Sequence, residues 1–182
     1  MSLQSLNKIS ELSSSIMEIP WFINAGKEID NLLNIFITNY CMKLNISNEI
    51  NKVKNWEEAI QIISSNKWNK NTWEIEEKEK TFLLNNLLKK YPEKQLFTSL
   101  QKLTEVSINI IGKCYIDGLK KNDIKYEYYS KVAAGSAATS CYQAALALAA
   151  DQDHNHIFIS KFKLFKAGYW PLIITDNNFN IF

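Results

Sequence analysis

Four side chains able to hold a metal or move a proton stand together late in the chain: Asp151, Asp153, His154 and His156, in the stretch DQDHNHIF. Imidazoles and carboxylates are ligands of zinc and of harder divalent ions, so this cluster could serve a small metal-dependent hydrolase. The spacing argues against it. Histidines two positions apart do not share a helix face. A solvated connection in which Asp153 or Asn155 caps the next helix uses the same residues. The expectation is therefore no bound metal here and no cofactor elsewhere. A nucleophilic dyad would need Ser or Cys beside a His; Cys141 lies well upstream of the pair, and spacing neither supports nor excludes it. No G-x-S-x-G, Walker loop or G-x-G-x-x-G occurs. AAGSAAT carries one glycine inside a helical pattern and cannot cradle a phosphate. No catalytic residue is assigned, and the chain is expected not to be an enzyme.

A second group is NKWNKNTWEIEEKEK, with Trp68 and Trp73 followed by Glu74, Glu76, Glu77 and Glu79. Lys78 and Lys80 alternate with the glutamates, the pattern of a solvated helix face rather than of an acid–base pair. Two tryptophans among polar residues suit anchors for a protein partner. Trp73 could equally be the first core-facing residue of its helix, and both readings stand. Trp68, Trp73, Glu74, Glu76 and Glu77 form the candidate partner-binding face.

The elements that position these groups read as helices. Leu3, Leu6, Ile9, Leu12 and Ile16 recur at three and four up to Pro20. A second pattern, from about 27 to 43, puts Ile29, Leu32, Leu33, Phe36 and Tyr40 on one face. Asn55 with Glu58, and Asn71 with Glu74, have capping-box spacing and open two further helices, the second ending at Tyr91 before Pro92. Acidic residues in its first turns and Lys89 and Lys90 in its last suit the macrodipole. A long helix over 93–121 carries Leu96, Leu100, Leu103, Ile110, Ile111 and Leu119. The small side chains of the next, about 126–150, let neighbours approach closely and place it at the centre. The last helix should span 155–166 and stop at Gly168 in a left-handed turn; alternation in HIFISKFKLF leaves a strand possible.

After Pro171, two apolar runs flank Asp-Asn-Asn. A two-residue loop at Asp176-Asn177 or Asn177-Asn178 puts Leu172, Ile174, Phe179 and Ile181 on one face of a terminal hairpin pressed on the helices. The predicted fold is thus mainly α: a single domain over 1–182, a bundle of six to seven helices with a small β-hairpin at 172–182.

Composition agrees. An apolar fraction of 46% and a charged fraction of 22% are ordinary globular values, and 182 residues suffice for one core. Net charge is +2 and every one of the 21 cationic side chains is Lys. Without the bidentate fork of Arg, sequence-specific reading of nucleic acid is not expected. Cys41, Cys114 and Cys141 lack C-x-x-C spacing and read as buried thiols of a reducing compartment. The first residues have no basic-then-apolar leader pattern, and the longest uncharged stretch, 132–150, is built from small residues that gain little from lipid. A cytoplasmic protein without membrane contact is expected.

The stretch LFKAGYWPLIITDNNFNIF, with the alanine-rich helix before it, resembles the C-terminal part of a family of small bacterial immunity proteins, encoded beside polymorphic or contact-dependent growth-inhibition toxins. The matching positions are Ala167, Gly168, Trp170, Pro171 and Leu172, and Tyr169 stands where a basic residue is the family pattern. The resemblance covers roughly the last fifty residues. It implies a stoichiometric inhibitor that binds the C-terminal, nuclease-type domain of a cognate toxin and blocks its active site, with no catalytic residues of its own. The glutamate-rich 68–79 segment would then face the basic cleft of that partner.

Overall fold

The computed structural model describes residues 3–46, 49–65, 67–118, 124–175 and 178–182, with side chains at all of these but 3–5, 114–118 and 124–126. Among the described residues the chain forms seven α-helices and a three-stranded sheet, in the order α1 (Leu3–Ser15), α2 (Asn31–Lys43), β1 (Glu49–Lys52), α3 (Trp56–Ser64), α4 (Lys70–Lys90), α5 (Glu93–Gly118), α6 (Ile124–Ala149), α7 (Ile157–Lys166), β2 (Pro171–Ile174) and β3 (Asn178–Ile181). The fold is mainly α, with its small sheet built on the C-terminal strands.

The helices begin and end where their polar residues satisfy free backbone groups. Asp30 Oδ1 accepts from Leu33 N at 2.8 Å, so α2 starts at Asn31 and not near 27. Leu33, Ile37, Tyr40 and Cys41 then face inward, while Leu32, expected on that face, points to solvent. Asn55 caps α3 as its spacing predicts, and Glu58 Oε2 reaches back to the backbone N–H of Lys54 at 3.0 Å. For α4 the cap is Asn69, not Asn71: its Oδ1 accepts from the N–H groups of Asn71 and Thr72. The helix begins earlier than the capping-box reading, so no acidic residue occupies its first turn. The expected Leu119 lies outside the described residues.

Helix α6 is the centre, as its small side chains predict. Ala133, Ala137, Cys141, Ala144, Ala145, Ala147 and Ala149 are all fully buried. Without bulky side chains there, α1, α4, α5 and α7 all come against α6. Helix α7 is a helix, not a strand, and packs between α2 and α6. It closes in a Schellman motif: Gly168 N–H donates to Phe165 O and Tyr169 N–H to Leu164 O, with Gly168 at φ +87°. Asn24 grips this turn, its N–H donating to Gly168 O at 3.0 Å and its side-chain amide to Ala167 O at 2.9 Å. Tyr169 is buried, and its hydroxyl donates to Glu28 O at 2.6 Å.

The terminal strands form less, and more, than the expected hairpin. Ile174 pairs with Phe179, and Thr175 N–H donates to Asn178 O, a register that excludes the Asn177-Asn178 loop; Asp176 and Asn177 lie outside the described residues. An irregularity then brings Pro171, not Leu172, opposite Ile181. Leu172 is half-buried, while Ile174, Phe179 and Ile181 are buried. The larger difference is β1, which pairs in parallel with β3 and makes β3 the middle strand. Both edges of β3 are consequently paired, and Phe179, Asn180 and Ile181 are all buried. Asn180, buried in its centre, accepts from Asn51 Nδ2 at 2.8 Å and donates to Ile173 O at 2.9 Å.

Gly168 and Gly112 should respond oppositely to an added methyl. A Cβ on Gly168 would meet Ile23 Cγ2 at 2.9 Å and Pro20 O at 3.0 Å in a left-handed backbone, whereas one on Gly112 meets nothing within 4 Å. Gly168→Ala is expected to cost about 1–3 kcal/mol, and Gly112→Ala to add roughly 0.5–1 kcal/mol in the helix interior. Urea unfolding of both variants checks this; shifts of the same sign would contradict the turn geometry.

Candidate functional site

The Asp–His stretch does not converge. Asp151, at φ +57°, ends α6, and its carboxylate is bound by Lys8 at 2.7 Å and Lys90 at 2.9 Å. Asp153 Oδ1 accepts from Asn155 N–H at 2.8 Å. His154 is exposed, and its carbonyl accepts from Lys163 Nζ. The cap of α7 is His156, rather than Asp153 or Asn155: its Nδ1 accepts from Phe158 N–H at 3.2 Å and its Nε2 faces Glu79 Oε1 at 3.1 Å. An accepting Nδ1 requires the tautomer with its proton on Nε2, directed at Glu79. Among the described residues no group of three or more His, Cys, Asp or Glu is arranged to hold a metal. Burial pushes the thiols of Cys41 and Cys141 up to about 11 and about 12, so neither is a thiolate near neutrality. The side chain of Cys114 lies outside the description. No helix among the described residues is long and apolar enough to cross a membrane.

The Trp–Glu segment does build a site. Asn69 N–H donates to Ile174 O at 2.7 Å, and Trp68 bridges to Thr175, so the chain before α4 is stitched to the outer edge of β2. Asn69 then turns the chain into α4, and Trp73 follows within its first turns. The two indoles meet edge-to-face, centroids 6.2 Å apart, with 45% of Trp68 and 51% of Trp73 still exposed. The core-facing reading of Trp73 therefore falls; Thr72 beside it is the buried residue.

Behind the indoles lies a pocket of about 250 Å³, walled by Trp68, Trp73, Tyr40 and Trp170 and floored by Glu76 and Lys161. Glu76 was expected on a solvated face. Instead it is buried, on the inward stripe of α4 with Thr72, Leu83 and Leu87. Its carboxylate takes Lys161 Nζ at 2.9 Å on both oxygens and the Tyr40 hydroxyl at 2.5 Å. Three helices, α2, α4 and α7, thus meet at one carboxylate. Burial first, and then the neighbouring Glu76 charge, hold the Tyr40 phenol well above its ordinary range.

The other glutamates each have a local partner. Glu74 lies 3.8 Å from Lys70, Glu77 pairs with Lys80 at 2.5 Å, and Glu79 faces His156. What the surface offers is two indole edges over a net-neutral floor, not an acidic patch. Sequence reasoning found Trp68 and Trp73 but missed Tyr40, Lys161 and Trp170 as their company. One signal was present: Glu76 stands at helical spacing with Leu83 and Leu87, a core position.

No family model, curated protein or solved structure matches the chain.

Removing the buried carboxylate leaves Lys161 and Tyr40 without their acceptor. Glu76→Lys should therefore destabilise by about 3–5 kcal/mol, whereas Glu77→Lys, at a half-exposed pair, should change stability by less than about 1 kcal/mol. Denaturant midpoints of the two variants decide it, and equal tolerance would show that the floor is not a buried pair.

Proposed function

We propose that this chain is an immunity-type inhibitor, which binds the C-terminal domain of a cognate bacterial toxin one-to-one in the cytoplasm and occludes its active site. The observation that carries the reading is the Trp68–Trp73 pair, held by backbone bonds at a sheet edge yet leaving about half of each indole in solvent. Rigid, half-exposed tryptophans bordering a pocket are the residues that dominate binding energy at protein interfaces. The resemblance of the 167–172 segment to immunity proteins supports the choice of partner. The hydrolase alternative gains nothing from Asp151, Asp153 and His156, whose side chains are engaged separately, or from His154, which is exposed and bonded only through its carbonyl.

The paired glutamates change how recognition is expected to work. A basic nuclease cleft attracted by Glu74, Glu76 and Glu77 would need free carboxylates, and each has its own lysine. Binding is instead proposed to rest on burial of the indoles within an interface of about 1,600 Å², with modest salt dependence.

The test is co-expression with the toxin domain encoded beside this chain, together with calorimetry of the purified pair. The Trp68→Ala/Trp73→Ala variant should fold with a near-unchanged thermal midpoint and lose about 100-fold or more in affinity, along with growth protection. Full protection by this variant would remove the proposed interface. Failure of the unaltered protein to form a complex would remove the inhibitor reading itself.

A further inference from the structure

The pocket behind Trp68 and Trp73 is more selective than an apolar dent, because of what its floor leaves unused. A carboxylate offers about four lone-pair directions. Glu76 spends three of them: Oε1 accepts from Tyr40 and Lys161, and Oε2 from Lys161. One direction on Oε2 stays open. The ammonium of Lys161 has three N–H groups, and among the described residues it donates only to the two Glu76 oxygens. One donor therefore stays open beside the open acceptor. Both residues line the pocket and keep some exposure, 11% for the Glu76 side chain and 17% for Lys161.

This floor sorts occupants by charge. A lysine or arginine would bring its cation against Lys161, and an aspartate or glutamate its anion against Glu76. Either entrant also meets the opposite charge 2.9 Å away, so the paired floor offers it no net attraction to offset its desolvation. A purely apolar side chain would strand the open donor and the open acceptor. Indole can donate but not accept. A phenol does both with one oxygen.

The walls sort by shape. Trp68, Trp73, Trp170 and Tyr40 line the cavity together with Ile63, Val132 and residues 171–174, a mostly apolar lining that favours a ring over a short hydroxyl or amide chain. A volume of about 250 Å³ suits one aromatic side chain and falls below the usual range of small-ligand cavities. We infer that the pocket receives the phenol of a single tyrosine from the bound partner, its hydroxyl donating to Glu76 Oε2 and accepting from Lys161 Nζ. This rests on the inhibitor reading for the identity of the partner. It does not rest on it for the chemistry of the pocket.

The test needs no toxin, so its failure is separable from failure of the complex. N-acetyl-tyrosinamide is titrated into the full protein while the indole N–H signals of Trp68, Trp73 and Trp170 are followed by NMR. Saturable shifts are expected with a dissociation constant on the order of 1 mM, the affinity available to so few atoms. N-acetyl-phenylalaninamide should bind at least about 5-fold more weakly, the loss of one hydroxyl at a site with a donor and an acceptor open. The lysine, arginine and glutamate analogues should leave the three signals in place. Trp73→Ala, an exposed substitution that spares the floor, should abolish the tyrosine shifts. Equal binding of the phenylalanine analogue, tighter binding of any charged one, or no saturation by the tyrosine analogue would each overturn the inference.

Discussion

Helix α7 has almost no face to give to water, yet it carries three lysines in ten residues. Lys166 reaches the surface and Lys163 is partly buried, but Lys161 leaves the helix among packed side chains. An ammonium in such a place must be paired or hydrogen-bonded, because its desolvation is otherwise too costly. Lys163 lies over the Phe36 ring at 4.4 Å and donates to His154 O, and desolvation draws its pKa below the usual lysine range. Lys161 has Glu76. Helices α2 and α4 meet these needs: α2 supplies Phe36 and Tyr40, and α4 supplies Glu76. The alanine surface of α6 closes the third side.

From that constraint the candidate site follows. Because Glu76 must point inward, Thr72 and Leu83 share its face and Trp73 is turned outward. Because β2 is held against α7 through the Gly168 turn, its outer edge can take Asn69 and bring Trp68 beside Trp73. The ion pair is thus a positioning element rather than a large net source of stability, since desolvation offsets much of a buried pair's attraction. Its removal is costly for a different reason: it would strand a cation. The surface it sets up is aromatic and nearly neutral, and this is what led the proposed recognition away from electrostatic attraction.

Much of the helical architecture was legible because its signals are local. The stripe of α1, the Asn55 cap, the stop at Tyr91, the small-residue centre of α6 and the glycine turn after α7 are all written within a few residues of where they act. What escaped notice depends on partners far along the chain. Strand β1, Glu49–Lys52, has one apolar residue and becomes a strand only because β3 lies beside it. Glu76 reads as one more charge in a charged run until Lys161, 85 positions later, is placed next to it. Asn69 and Asn71 are equally good caps by type, and the bond from Asn69 N–H to Ile174 selects between them. His156 caps α7 with a ring nitrogen, a role that the usual preference for Ser, Thr, Asp and Asn does not suggest. Trp68 and Trp73 could be singled out by composition, but not the pocket behind them, whose other walls come from α2 and β2.

Hydrogen–deuterium exchange, compared between the protein alone and its proposed complex with a toxin domain, tests the central claim most directly. The account predicts new protection in 67–76 and 169–174, the two segments that frame the pocket, with the rest of the chain little changed. Protection confined to β1 or to the outer face of α2, with 67–76 unaltered, would place the interface elsewhere and contradict it.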